Sequence, residues 1–120
     1  MRVCVIDAPF DYAGLLGPQA PGLELHARPG PRSGLVHLFV TDAARLARHL
    51  ASLRRCLPDS TPLWVSWPKK ASGVPTTVTE DLIRELALPL GWVDVKVCAV
   101  DATWSGLKLV VRMALRQPAP

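Results

Sequence analysis

Two adjacent lysines, Lys69 and Lys70, follow a proline at the end of the β-rich run Leu63-Trp64-Val65-Ser66-Trp67-Pro68 and open into the small-residue stretch Ala71-Ser72-Gly73. Ammonium groups placed this way act as point charges for phosphate or carboxylate. Trp104 and Ser105 offer a face for stacking a flat group and a hydroxyl for hydrogen bonding. Thr77 stands at the start of a predicted helix, whose first amides donate to anions. Asp7 and Asp42 each close a strand-like apolar run. Together, Asp7, Asp42, Lys69, Lys70, Ser72, Thr77, Trp104 and Ser105 predict a site for a small anionic ligand, nucleotides included. Covalent catalysis has no such support. Ser66, Ser72 and Ser105 have no histidine assigned to them by any motif, and Cys98 sits inside a strand-like run.

The remaining reactive side chains exclude several classes. Cys4, Cys56 and Cys98 are odd in number and far apart, and read as small buried hydrophobes. His26, His37 and His49 recur on three different elements without ligand spacing, so no metal is expected, and no motif names a cofactor. The apolar start Val3-Cys4-Val5-Ile6 ends in Asp7, too short for a leader, and no apolar stretch reaches bilayer length. A reducing cytoplasm is the expected compartment, and no membrane partner is expected. The formal charge of +4 is spread along the chain, so a dedicated nucleic-acid role is not expected either.

At 120 residues, 49% hydrophobic and 20% charged, the chain suffices for one globular domain, read as residues 1–116 with a loose tail over 117–120. Arg2 to Ala8 is apolar on successive positions, as in a parallel strand buried on both faces. A short helix is predicted from Phe10 to Leu16, then an edge strand from Leu23 to Ala27 and a Pro/Gly loop from Arg28 to Gly34. Leu35 to Val40 is a third strand, after which Thr41 or Asp42 caps a helix over Ala43 to Leu57 with Leu46, Leu50, Leu53 and Leu57 on one stripe. Pro68 must end the fourth strand, since it cannot donate to a sheet ladder. Thr77-Val78-Thr79-Glu80 matches a capping box for a second long helix that closes at Gly91. Val93 to Val100 and Leu107 to Leu115 form a hairpin, with Gly106 freeing its turn. Trp64, Trp67 and Trp92 are expected in the core.

This alternation predicts an α/β, three-layer, Rossmann-like open sheet with right-handed crossovers. Its order resembles the class I methyltransferase fold, which ends in a hairpin with an inserted antiparallel strand. That resemblance implies about six strands in the order 2-1-3-4-6-5, with the last one antiparallel. It also implies that the Pro/Gly loop replaces the usual helix between strands two and three. Leu63 to Thr76, Thr79-Glu80-Asp81, Val93 to Asp101 and Trp104 to Val110 further resemble an uncharacterised bacterial family, domain of unknown function 3052, over Leu35 to Arg112. That family brings no established activity.

S-adenosylmethionine on the methyltransferase fold ordinarily needs a glycine-rich turn after the first strand and an acid after the second. Here Asp7-Ala8-Pro9-Phe10-Asp11 lacks glycine, and Arg28 stands where the acid belongs. The leading expectation is therefore an anionic-ligand binder, with Lys69, Lys70, Trp104 and Ser105 in one pocket at the carboxyl edge of the sheet. A degenerate S-adenosylmethionine-dependent protein and a protein-interaction module are the alternatives.

Overall fold

A computed structural model of the chain describes residues 2–9 and 24–112. Six strands, β1 (Arg2–Ile6), β2 (Glu24–His26), β3 (Leu35–Phe39), β4 (Leu63–Pro68), β5 (Trp92–Ala99) and β6 (Trp104–Val111), form one sheet in the order β2-β1-β3-β4-β6-β5. The pairs β1–β2, β1–β3 and β3–β4 are parallel, whereas β6 runs antiparallel to both β4 and β5. Helix α1 (Ala43–Cys56) joins β3 to β4, and α2 (Glu80–Ala87) precedes β5. No helix lies between β2 and β3, where the chain turns through the Pro/Gly loop as expected. The helix expected over Phe10 to Leu16 and the tail over 117–120 lie outside the described residues.

Both helices pack on the same face. Strand alternation aims Cys4, Val36, Leu38, Val40, Leu63, Val65, Trp67, Leu107, Leu109 and Val111 at the leucine stripe of α1 and at Ile83 and Ala87 of α2. Leu46, Leu50 and Leu53 are all essentially sealed from solvent. Asp42 caps α1 as expected, its Oδ2 accepting from the Arg45 N–H at 2.9 Å.

The start of α2 differs from the sequence reading. Thr79 is the N-cap, accepting from the Leu82 N–H at 3.1 Å, and Glu80 is the first helical residue. Thr77 Oγ1 instead accepts from the Ala43 N–H at 2.8 Å, so it serves the start of α1 from a distance. The helix is also short. Pro89 lacks the N–H that would continue the ladder, so the last turn, Leu88–Leu90, tightens to 3₁₀ geometry and reverses at Gly91, φ 101°. Arg84 ties α2 to the sheet through Asp94 at 3.0 Å and also pairs with Glu80 at 3.2 Å, hydrogen bonds that raise its pKa.

Burial along β1 is less uniform than predicted: Val3 and Cys4 are buried, but Val5 and Ile6 are half-buried. Strand β2 flanks β1 only as far as Cys4. Burial pushes the Cys4 thiol up to about 11, with Cys56 adding to the shift, and all three cysteines are free. Cys56 and Cys98 are half-buried rather than enclosed. The hairpin turn is made by Asp101, whose Oδ1 accepts from Thr103 N–H at 2.8 Å and Trp104 N–H at 2.7 Å. Gly106 is not in the turn but in β6, where an added Cβ would come within 3.1 Å of Val100 and 3.3 Å of Trp64. Its role is close packing.

The opposite sheet face carries His37, Phe39, Trp64, Ser66 and Gly106. His37 Nε2 and Ser66 Oγ share a buried hydrogen bond of 2.6 Å, and the imidazole stacks on Phe39 at 4.3 Å. A hollow of about 210 Å³ beside them is walled by Leu35, Trp64, Cys98 and Val100, which leaves Trp64 half-buried. Trp67 and Trp92 lie in the core as predicted.

Two measurements follow from this packing. Leu50→Ala leaves a cavity under α1 and should lower the unfolding free energy by about 2 to 5 kcal/mol in denaturant titration; a change below about 0.5 kcal/mol would show that α1 packs elsewhere. Burial pushes the His37 pKa down from 6.5 to about 4. Between those values the unfolded chain carries the proton and the folded chain does not, so stability is full above pH 6.5 and falls as pH drops toward 4. The loss should total about 3 kcal/mol. A His37→Phe, Ser66→Ala double variant should remove that part of the pH profile, and an unchanged profile would contradict the assignment.

Candidate functional site

The sheet reverses direction of growth at β1 and β3: β2 is laid down on one side of β1, and β3, β4 and the hairpin on the other. Open α/β sheets bind ligands outside the carboxyl ends of the strands at such a point. Here a crevice of about 250 Å³ opens there, lined by Asp7, Pro9, Phe39, Thr41, Arg45 and Trp104. Asp7 follows β1 directly and has φ 58°, the left-handed conformation that a glycine would ordinarily supply. Holding a non-glycine residue there costs on the order of 1 kcal/mol, and such geometry concentrates at ligand sites. Its Oδ2 lies 3.8 Å from Nε2 of His49 on α1. Arg45, in the first turn of α1, supplies an exposed guanidinium. Trp104 is 8% exposed and meets Phe39 edge-on at 5.3 Å, so the two rings wall the crevice.

A second cavity, of about 400 Å³, lies at the same edge between the end of β4 and the start of α2. Lys70, Thr76, Thr79, Glu80 and Asp81 line it, above a floor of Trp67 and Val78. One exposed lysine there faces two carboxylates, so the charge does not favour an anion. The Thr41 carbonyl separates the two openings. It accepts from Thr76 Oγ1 at 2.8 Å and from the Thr77 N–H at 3.0 Å, which clasps the loop before α2 onto the end of β3.

Most of the predicted site residues reach this edge but do not share one pocket. Trp104 lines the crevice and Lys70 the larger cavity. Ser105 is separated from Trp104 by the period of the strand: it pairs with Trp67 on the helix-covered face, whereas Trp104 faces the other way. Lys69 braces the hairpin, its Nζ donating to the Asp101 carbonyl at 2.7 Å and its N–H to the Thr103 carbonyl at 2.8 Å. Ser72 donates to the Lys69 carbonyl at 2.6 Å and accepts from the Val74 N–H at 3.2 Å. Asp42 and Thr77 are both engaged at the start of α1. Only Asp7 and Trp104 of the eight stand in the crevice itself.

Thr41, Arg45 and His49 escaped the sequence reading. Arg45 was legible as a helix residue three positions after a cap, but nothing in the sequence shows that α1 starts against the end of β1. The His37–Ser66 pair was also missed, because 29 positions separate residues that adjacent parallel strands bring together. It has the contact distance of a nucleophile and base, yet Ser66 is completely buried, which closes it to substrate. Among the described residues no group of histidine, cysteine and carboxylate side chains is placed to hold a metal, and no helix is long and apolar enough to cross a membrane.

No family model matches the sequence, and no curated protein does so either. Solved structures match the fold. Magnesium protoporphyrin IX methyltransferase from Synechocystis PCC 6803, with bound SAH, superposes with a TM-score of 0.56 at 11% identity, over 75% of this chain and 51% of its own. LepI in complex with SAH and a substrate analogue gives 0.55 at 13% identity, over 92% of this chain and 36% of its own. A mutant of the 16S rRNA (adenine(1408)-N(1))-methyltransferase from Catenulisporales acidiphilia gives 0.50 at 21% identity, covering 84% and 62%. This chain thus spans between 36% and 62% of the length of these three structures. At such identities the likeness is one of architecture: the chain has a methyltransferase-like α/β fold, its six-stranded sheet ordered 2-1-3-4-6-5 and closed by an antiparallel hairpin.

Proposed function

We propose that the chain is a ligand-binding domain that holds a small anionic ligand of nucleotide type in the crevice at the strand reversal. The observation that carries this reading is the left-handed Asp7 at the end of β1, across from Arg45 and beside Trp104. In this arrangement the Arg45 guanidinium takes the phosphate, with two donors in a fixed fork, and the Asp7 carboxylate accepts from hydroxyl groups of a ribose. The Trp104 and Phe39 walls give the flat base an apolar surface. Among the described residues no serine, cysteine or histidine lines the crevice, and the role assigned to it is binding. The resemblance to domain of unknown function 3052 adds no activity to this reading.

One observation favours a second reading. Two of the structural neighbours hold SAH, and the left-handed Asp7 supplies the turn conformation whose glycine the sequence lacks. Against it, the loop that follows β2 carries no acid to accept from ribose hydroxyls, and it turns Arg28 back toward Arg2 at the amino edge of the sheet. S-adenosylmethionine should therefore bind weakly or not at all.

A thermal-shift and calorimetry panel of adenosine monophosphate, adenosine diphosphate, S-adenosylmethionine and SAH separates the two. The nucleotides should raise the unfolding midpoint in a saturable way. Arg45→Gln should weaken them by about tenfold or more through loss of a charge-assisted contact, while leaving the midpoint of the free protein nearly unchanged. Asp7→Asn keeps the backbone conformation and should weaken nucleosides more than inorganic phosphate. Micromolar binding of S-adenosylmethionine without nucleotide binding would transfer the crevice to the second reading. Silence across the panel would remove both.

A further inference from the structure

At the opposite, amino-terminal edge of the sheet, Arg2, Arg28 and Arg32 come together around one hollow of about 280 Å³, with His26 and the Gly30–Ser33 turn forming the rest of its wall. Arg2 begins β1, and Arg28 and Arg32 belong to the Pro/Gly loop that leads from β2 to β3. Composition alone reads this loop as loose, yet it is fixed at every turn. Pro31 is the second residue of a β-turn closed by the Ser33 N–H on the Gly30 carbonyl at 3.1 Å. Ser33 Oγ accepts from the Gly30 N–H at 3.2 Å and reaches His26 Nε2 at 3.4 Å. The His26 Nδ1 donates to the Arg28 carbonyl at 2.8 Å. Below the turn, Thr61 Oγ1 donates to the Ser33 carbonyl at 2.8 Å and the Gly34 N–H to the Arg2 carbonyl at 2.8 Å. Ser33 and Thr61 are buried, which anchors the turn in the body of the protein.

The charges on this cradle are not spent internally. Arg2 lies 3.5 Å from Glu24, whereas Arg28 and Arg32 have no acidic partner among the described residues. Two guanidiniums held on a fixed loop, with a third half-compensated, face one small hollow. We propose that this hollow is a binding subsite for a phosphomonoester dianion, separate from the crevice at the strand reversal. The charge of such a group, about −1.5 to −2 at neutral pH, balances the two unpaired guanidiniums. Its oxygens match the paired donors of arginine. The hydrogen-bonded loop has already lost the freedom that binding would otherwise restrict. The hollow, about 280 Å³ in volume, accommodates the phosphate group itself.

The test uses inorganic phosphate as probe, in calorimetry and thermal unfolding at low ionic strength. Phosphate should bind saturably and raise the unfolding midpoint above that in sodium chloride of equal ionic strength. Binding should strengthen as the pH is raised and the phosphate monoanion gives way to the dianion. Arg28→Gln with Arg32→Gln should weaken it by about tenfold or more, each single variant should weaken it less, and Arg48→Gln with Arg55→Gln on the exposed side of α1 should not. With Arg45→Gln present throughout, so that the crevice takes no share, a response no different from chloride, or one that survives the Arg28 and Arg32 changes, would overturn the proposal. If Arg45→Gln abolishes phosphate binding instead, the ion belongs to the crevice and the subsite is refuted. Binding of single-stranded oligonucleotides, lost in the Arg28 and Arg32 variant while inorganic phosphate is ignored, would likewise replace the subsite by a nucleic-acid surface.

Discussion

Strand β4 is walled on both edges and covered over most of both faces, and the surrounding structure answers to that constraint. Its helix-side residues Leu63, Val65 and Trp67 are apolar and need α1 and α2 above them. Its other side includes Ser66, a hydroxyl with no solvent at all, and an unpaired hydroxyl there would cost about 1 to 3 kcal/mol. His37 on β3 supplies the partner, and its burial keeps the imidazole neutral. On the other edge, Val100 and Trp64 crowd position 106 of β6, where an added Cβ would come within 3.1 and 3.3 Å of them, and glycine is the residue found there. Pro68 then ends the strand where its missing donor does no harm. The hairpin is held against that end by Lys69, reaching across to Asp101 and Thr103.

The polar residues at the carboxyl edge divide between those that build it and those left to act. Thr76, Thr77, Ser72, Asp42, Lys69 and Asp101 each satisfy a backbone group of a neighbouring loop or helix end. Loops without regular structure must place their backbone hydrogen bonds somewhere, and short polar side chains are the available partners. Among the described charged residues of this edge, Arg45, Lys70 and the strained Asp7 are not used in this way. The same division holds at the amino edge, where Ser33, Thr61 and His26 hold the loop and Arg28 and Arg32 project from it.

The chain, which spans 36% to 62% of the length of the structures it matches, passes from β2 to β3 without a helix. Among the described residues, α1 and α2 both lie on one face, and the other face carries Trp64, His37 stacked on Phe39, and Trp104 set edge-on to Phe39. Aromatic rings cover a sheet with few residues, which suits a chain of 120 residues. The leucine stripe of α1 does the same for the helix side by presenting three sealed residues from fourteen.

The sequence by itself determined the strands, the place of both helices, a cap at Thr41 or Asp42, the stop at Pro68 and, through resemblance, the strand order. These features depend on local period, on backbone chemistry and on the few topologies that alternating strands and helices permit. It did not determine which residues meet. Thr79 rather than Thr77 caps α2, because the choice between two threonines two positions apart depends on where the Thr41 carbonyl and the Ala43 amide lie. Trp104 and Ser105 part company because a strand turns adjacent side chains to opposite faces, and the sequence does not show where β6 begins. Asp7 takes a left-handed conformation, and Arg28 and Arg32 share a hollow with Arg2. Only tertiary structure decided these, since each depends on atoms from strands brought side by side across tens of residues, where local periodicity carries no information.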